Sequence, residues 1–129
     1  MAFQVIRPDD AVWEERPNQH GQIRRLVDLT TAGGLTQSRA RLWRYPPHTR
    51  GRRHVEGVQE EVFVVLEGTL TMLLGNPPER FDLPPQSVVT VSPGTALQLR
   101  NESDDDVTVL AYGAPPVTGQ GEYLEDVEL

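Results

Sequence analysis

The sequence predicts an all-β protein, a sandwich or a barrel, built as a single domain. Three observations carry that expectation. Short runs of β-formers recur at even intervals, proline, glycine and acidic turns punctuate them, and no segment carries a helical stripe of useful length. At 129 residues the chain falls within the usual span of one domain, about 100–150 residues, and can bury a core without staples.

The elements follow in order. RLVDL (25–29) is a first short strand, followed by the turn-like TTAGG. SRARLWRY (38–45) alternates and stops at Pro46-Pro47, which cannot continue a central ladder. EVFVVLEG (61–68) and TLTMLLG (69–75) meet at Gly68 and read as a hairpin. NPPE turns the chain into the short edge piece FDL (81–83), and SVVTVS (87–92) ends at Pro93-Gly94. ALQLR (96–100) and VTVLAYG (107–113) flank the acidic turn NESDDD, and APP closes the regular part. Residues 1–20 and 115–129 are expected to wrap the barrel or pack on a partner.

Composition excludes several chemistries. With no cysteine there is no disulfide, thiolate ligand or cysteine nucleophile. All twelve basic residues are arginine, so a Schiff base and a lysine general base are excluded too. A net charge of −7 and an acidic 122–129 segment argue against a nucleic-acid partner. Arginines crowd between Arg39 and Arg53, but tryptophan, tyrosine and prolines among them mark a strand and its exit rather than a basic arm. No apolar run nears the ~20 residues of a membrane span, and MAFQVIRPDD lacks a signal peptide's apolar region, so no membrane partner and a cytoplasmic location are expected.

The chemistry concentrates in RRHVEGVQEEVFVVLEG (52–68). Residues two apart on a strand share a face, so His54 and Glu56 point together, and Glu61 re-enters the same pocket after the Gly57-Val58 turn. From Glu61 that face continues through Phe63 and Val65, while Val62, Val64 and Leu66 take the other. Both faces are apolar, as for a strand buried on both sides. On SRARLWRY, Arg39, Arg41, Trp43 and Tyr45 share one face. Facing in, they would suit a carboxylate- or phosphate-bearing ligand, with Trp43 in the pocket lining. Arginines inside a small barrel are costly unless paired, so the outward orientation is expected.

These segments resemble the cupin superfamily, small β-barrels of jelly-roll type. The family's first motif is a histidine, one residue, a second histidine, four residues, a glutamate, six residues and a glycine. Here His54, Glu56, Glu61 and Gly68 keep every gap, with Glu56 in place of the second histidine. The second motif runs from a glycine through Pro-x-Gly to a histidine and an asparagine. QSVVTVSPGTALQLRN matches its length, with Gln86 for the first glycine, Pro93-Gly94 at the turn, Leu97 where the histidine belongs, and Asn101 at the end. The resemblance covers roughly residues 24–113.

That resemblance implies a cupin-type jelly-roll barrel and, in enzymes of the family, iron, manganese, nickel or zinc on three histidines and a glutamate. Carried over, His54 and Glu61 match as ligands, Glu56 is changed and Leu97 is a loss, with His48 in YPPHTRG the one nearby substitute. One imidazole and two carboxylates would leave an open three-ligand site, short of the two-histidine, one-carboxylate triad. Leu97 and Leu99, with Phe63 and Val65, would line an apolar pocket or fill the core. The expectation is a barrel that binds a small molecule with a reduced or absent metal site. The competing readings are a divalent-metal enzyme, dioxygenase- or isomerase-like, on His54, Glu56 and Glu61, and metal-free acid–base catalysis, for which no histidine–aspartate pair and tyrosine can be placed. A homodimer is expected by analogy with the family.

Overall fold

The computed structural model describes residues 2–117 and 121–129. Among these residues twelve strands alternate with turns: β1 (Glu14–Pro17), β2 (Ile23–Asp28), β3 (Arg39–Tyr45), β4 (Thr49–Arg50), β5 (His54–Val55), β6 (Glu60–Glu67), β7 (Leu70–Leu74), β8 (Glu79–Leu83), β9 (Val88–Val91), β10 (Ala96–Asn101), β11 (Val107–Ala114) and β12 (Glu122–Tyr123). They form two antiparallel sheets. One has the order β1-β2-β3-β11-β6-β9; the other has the order β12-β5-β10-β7-β8, with β4 also on β10. This is the jelly-roll arrangement of a small barrel.

The inner faces meet in one core. Tyr45, Phe63, Val65, Leu70, Met72, Val91, Leu97, Leu99, Val107 and Val109 form a continuous cluster. Burying a side chain such as Leu70 or Met72 contributes about 1.5–3 kcal/mol, and both are fully enclosed.

The strand positions follow the alternation read from the sequence, with three corrections. EVFVVLEG and TLTMLLG do not pair: β6 bonds to β11 and β9, β7 to β10 and β8, so the chain changes sheets at Gly68. Gly68 has φ +74°, and a Cβ there would collide with the Asp106 carbonyl, so the crossing needs glycine. The expected TTAGG turn is instead a one-turn helix, α1 (Leu29–Gly33), which also takes Leu29 from the strand. The Asp28 carboxylate caps it by accepting from the Thr31 N–H at 3.1 Å and hydroxyl at 2.8 Å. Finally, β6 is not buried on both faces. Phe63 and Val65 are enclosed, but Val62 and Val64 are half-buried and Leu66 is exposed, so that side is only partly covered.

The end segments hold the barrel from outside. Arg44 lies 4.2 Å from the Trp13 ring on the outer face of the first sheet. On the outer face of the second, Gln98 and Arg100 are buried yet fully engaged. Arg100 donates to Gln98 Oε1 (2.9 Å), the Val127 carbonyl (2.7 Å) and the Leu129 carbonyl (3.4 Å), while Gln98 Nε2 donates to the Gly51 carbonyl and to Asp126. A buried guanidinium is tolerable here because the 124–129 segment supplies its acceptors.

Candidate functional site

The barrel is filled at one end and hollow at the other, and β11 shows why. Its inward residues shrink along the strand: Val107 and Val109 lie in the core, then come Ala111 and Gly113. Cross-strand register turns that taper into layers. Trp43, Val109 and Val65 form a packed row, Arg41, Ala111 and Phe63 the next, and Arg39, Gly113 and Glu61 the last. Beside the Ala111 methyl, space opens between β3 and β6, while the Gln59 side chain packs over Gly113. The resulting cavity has a volume of about 770 Å³, within the ~300–1,000 Å³ of ligand sites.

Arg39, Arg41, Trp43 and Tyr45 all line it. The expectation that this face points outward is therefore overturned. The cost that argued for it is real, since burial lowers the Arg41 pKa to about 10, with Arg39 nearby adding repulsion. Arg41 still stays charged at neutral pH. The hollow end is open rather than dry, and aromatic faces stand in for carboxylates. The Arg24 guanidinium carbon lies 4.7 Å from the Trp43 ring centroid and 5.5 Å from that of Tyr45, and Arg41 lies 5.5 Å from Trp43. Trp43 and Tyr45 meet edge to face, centroids 5.8 Å apart. Arg24 also donates from Nη1 to the Tyr45 hydroxyl at 3.2 Å. Its Nε is buried without a partner. Among the described residues, no carboxylate oxygen lies within 4.0 Å of Arg24, Arg39 or Arg41.

The opposite wall is acidic. His54, Glu56 and Glu61 line the same cavity, with Gln59 beside them and Phe63, Leu97 and Leu99 as an apolar floor. Burial raises the Glu61 pKa and neighbouring Glu56 raises it further, against the pull of Arg41 and Arg39. His54 Nδ1 sits 2.8 Å from the Arg52 carbonyl. A carbonyl only accepts, so Nδ1 carries the proton and a neutral ring leaves its lone pair on Nε2. Such a site can hold an anion on one wall and exchange hydrogen bonds or a proton with it on the other.

The ligand set carried over from the resemblance fits a metal poorly. Among the described residues no three histidine, aspartate or glutamate side chains are grouped closely enough to hold an ion. Glu56 Oε1 instead accepts the Val58 N–H at 3.0 Å, and in the ladder Leu97 stands directly opposite His54. His48 lies away from the cavity, its Nε2 2.7 Å from Asp104. Val65 belongs to the packed row beneath the cavity and does not line it.

Sequence reasoning missed Arg24, Gln59, Arg52 and Tyr123 as lining residues. A signal existed for Arg24, which shares its face with Leu26, but the adjacent apolar pair Leu26-Val27 blurred which face was inner. Tyr123 lies in an acidic tail with no periodicity to place it.

Comparison with known proteins agrees with this architecture. The cupin domain family model matches residues 41–113. The chain belongs to the cupin superfamily. Among solved structures, this cupin resembles a sugar phosphate isomerase of that superfamily from Silicibacter pomeroyi, with a TM-score of 0.73 and 23% identity over 86% of this chain and 75% of that one. It also resembles a protein described as a predicted oxalate decarboxylase from Thermotoga maritima, with a TM-score of 0.74 and 17% identity over 88% and 100%. The polyketide cyclase RemF from Streptomyces resistomycificus gives a TM-score of 0.78 at 13% identity over 95% and 87%. At such identities the likeness is one of fold. No curated protein matches the chain.

Proposed function

We propose that this cupin binds a small organic anion in the hollow end of its barrel, with Arg39, Arg41 and Arg24 taking a carboxylate or phosphate. The observation that carries the reading is the set of three guanidiniums facing one cavity with no carboxylate within 4.0 Å among the described residues. These residues are half-buried, and Arg41 feels Glu61 and Asp28 only from a distance, which leaves hydrogen-bonding forks open to a bound anion. The unpartnered Arg24 Nε supports the same conclusion. Trp43 holds two guanidiniums rather than offering a bare face, so it positions the cationic wall. Two of the similar structures are named for anionic compounds, sugar phosphate and oxalate. Because the donor set on His54, Glu56 and Glu61 does not converge, binding in this reading requires no metal.

The test is a thermal-shift and calorimetric panel of small carboxylates and phosphate monoesters at fixed ionic strength, on wild type and Arg41→Met. Hydrogen bonds to charged groups contribute about 1.5–3 kcal/mol, so the variant should lose about tenfold or more in affinity. Equal binding by both proteins would contradict the reading.

A further inference from the structure

The cavity carries a second cationic shelf, on the other sheet. Arg52 lies with its guanidinium carbon 3.8 Å from the Tyr123 ring centroid, and both residues line the same cavity as Arg24, Arg39 and Arg41. Like the Trp43 group, this pair has no carboxylate within 4.0 Å of the guanidinium among the described residues. Arg16, also on the lining, is already engaged by Glu14 at 3.0 Å and is not equivalent.

Tyr123 is held in place rather than trailing. Strand β12 pairs with β5, setting Tyr123 opposite His54. Just beyond, the Leu124 N–H donates to the Arg53 carbonyl at 2.9 Å, Arg53 donates to the Glu125 carbonyl at 3.2 Å, and Asp126 accepts from Gln98 and Arg50, each at 3.1 Å. The shelf is thus built by the segment anchored over the outer face of the second sheet.

Two guanidinium–aromatic shelves on opposite sheets face one cavity. The same lining also carries the apolar side chains of Phe63, Leu97 and Leu99 and the carboxyls of Glu56 and Glu61. We infer that the ligand carries two acidic groups, one taken by Arg24, Arg39 and Arg41 and the other by Arg52. This rests on the anion-binding reading above and makes Arg52 and Tyr123 the residues that select the second charge.

Isothermal titration with succinate, glutarate, adipate and pimelate, each against the monocarboxylate of equal chain length at constant ionic strength, tests it. At least one diacid should bind tenfold or more tightly than its monoacid. Arg52→Met, at an exposed position, should bring that diacid down to the monoacid's affinity, and Arg41→Met should weaken both series. Monoacid binding that depends on Arg41 with no diacid advantage would overturn this inference and leave the anion-binding reading standing. A diacid advantage that survives Arg52→Met would overturn the assignment to Arg52. Binding by neither series would overturn both.

Discussion

Arg39 and Glu61 stand on either side of Gly113 in a single row across the first sheet, opposite charges separated by a residue with no side chain. They form no ion pair within 4.0 Å. The Gln59 side chain packs over the glycine between them and lines the cavity, so the glycine makes room for Gln59.

Gly113→Val should therefore push Gln59 from its place and into the cavity. A Cβ at this position would collide with the buried Gln59 side chain, whose Nε2 donates to the Pro115 carbonyl at 3.1 Å. Overpacking of this kind costs about 1–3 kcal/mol. Denaturant unfolding should show that loss, and anion binding should weaken with it. Adding Gln59→Ala should recover part of the stability; no recovery would mean that the strain lies elsewhere.

The raised Glu61 pKa gives a pH dependence of definite sign. A folded-state value above the ordinary 4.5 means that the unfolded chain releases this proton more readily. The associated stability is complete below about pH 4.5 and is lost as pH rises through the folded-state value. Glu61→Gln, which mimics the protonated form, should raise Tm at pH 7 and give little gain at pH 4. A larger gain at pH 4 than at pH 7 would reverse the assignment.

Arg100 should be the clasp of the carboxy-terminal segment. Arg100→Met keeps bulk but leaves Gln98 Oε1 and the Val127 carbonyl without their donor. Each unsatisfied buried group costs about 1–3 kcal/mol, so destabilisation of that order or more is expected. Residues 121–129 should also lose hydrogen-exchange protection ahead of the core strands. Uniform loss of protection along the chain would contradict a local clasp.

Metal content separates this cupin from the metal-dependent reading. Protein purified without a metal-affinity tag should carry well under one equivalent of iron, manganese, nickel or zinc by plasma mass spectrometry, and a chelator should leave anion binding unchanged. A near-stoichiometric metal that disappears in Glu61→Ala would make Glu56 a true replacement ligand.

The fold was legible because inward and outward residues alternate cleanly on β3, β10 and β11, and because prolines and glycines mark where strands must stop. The crossing at Gly68 was not, since a glycine between two apolar runs serves a hairpin and a change of sheet equally well. Orientation was the harder matter. Arg39 and Arg41 read as outward because a dry barrel would not tolerate them. The step from Val109 to Ala111, which opens this end, becomes meaningful only once β11 is known to lie between β3 and β6. The Tyr123 shelf depends on pairing between segments far apart in sequence, which local pattern does not encode.

The most direct test of the cationic cavity is isothermal titration of glutarate into wild type and an Arg39→Met/Arg41→Met double variant. Saturable one-site binding to the wild type is expected, and it should disappear in a folded double variant with unchanged strand content. Equal affinity in the two proteins would place the anion elsewhere and contradict the account.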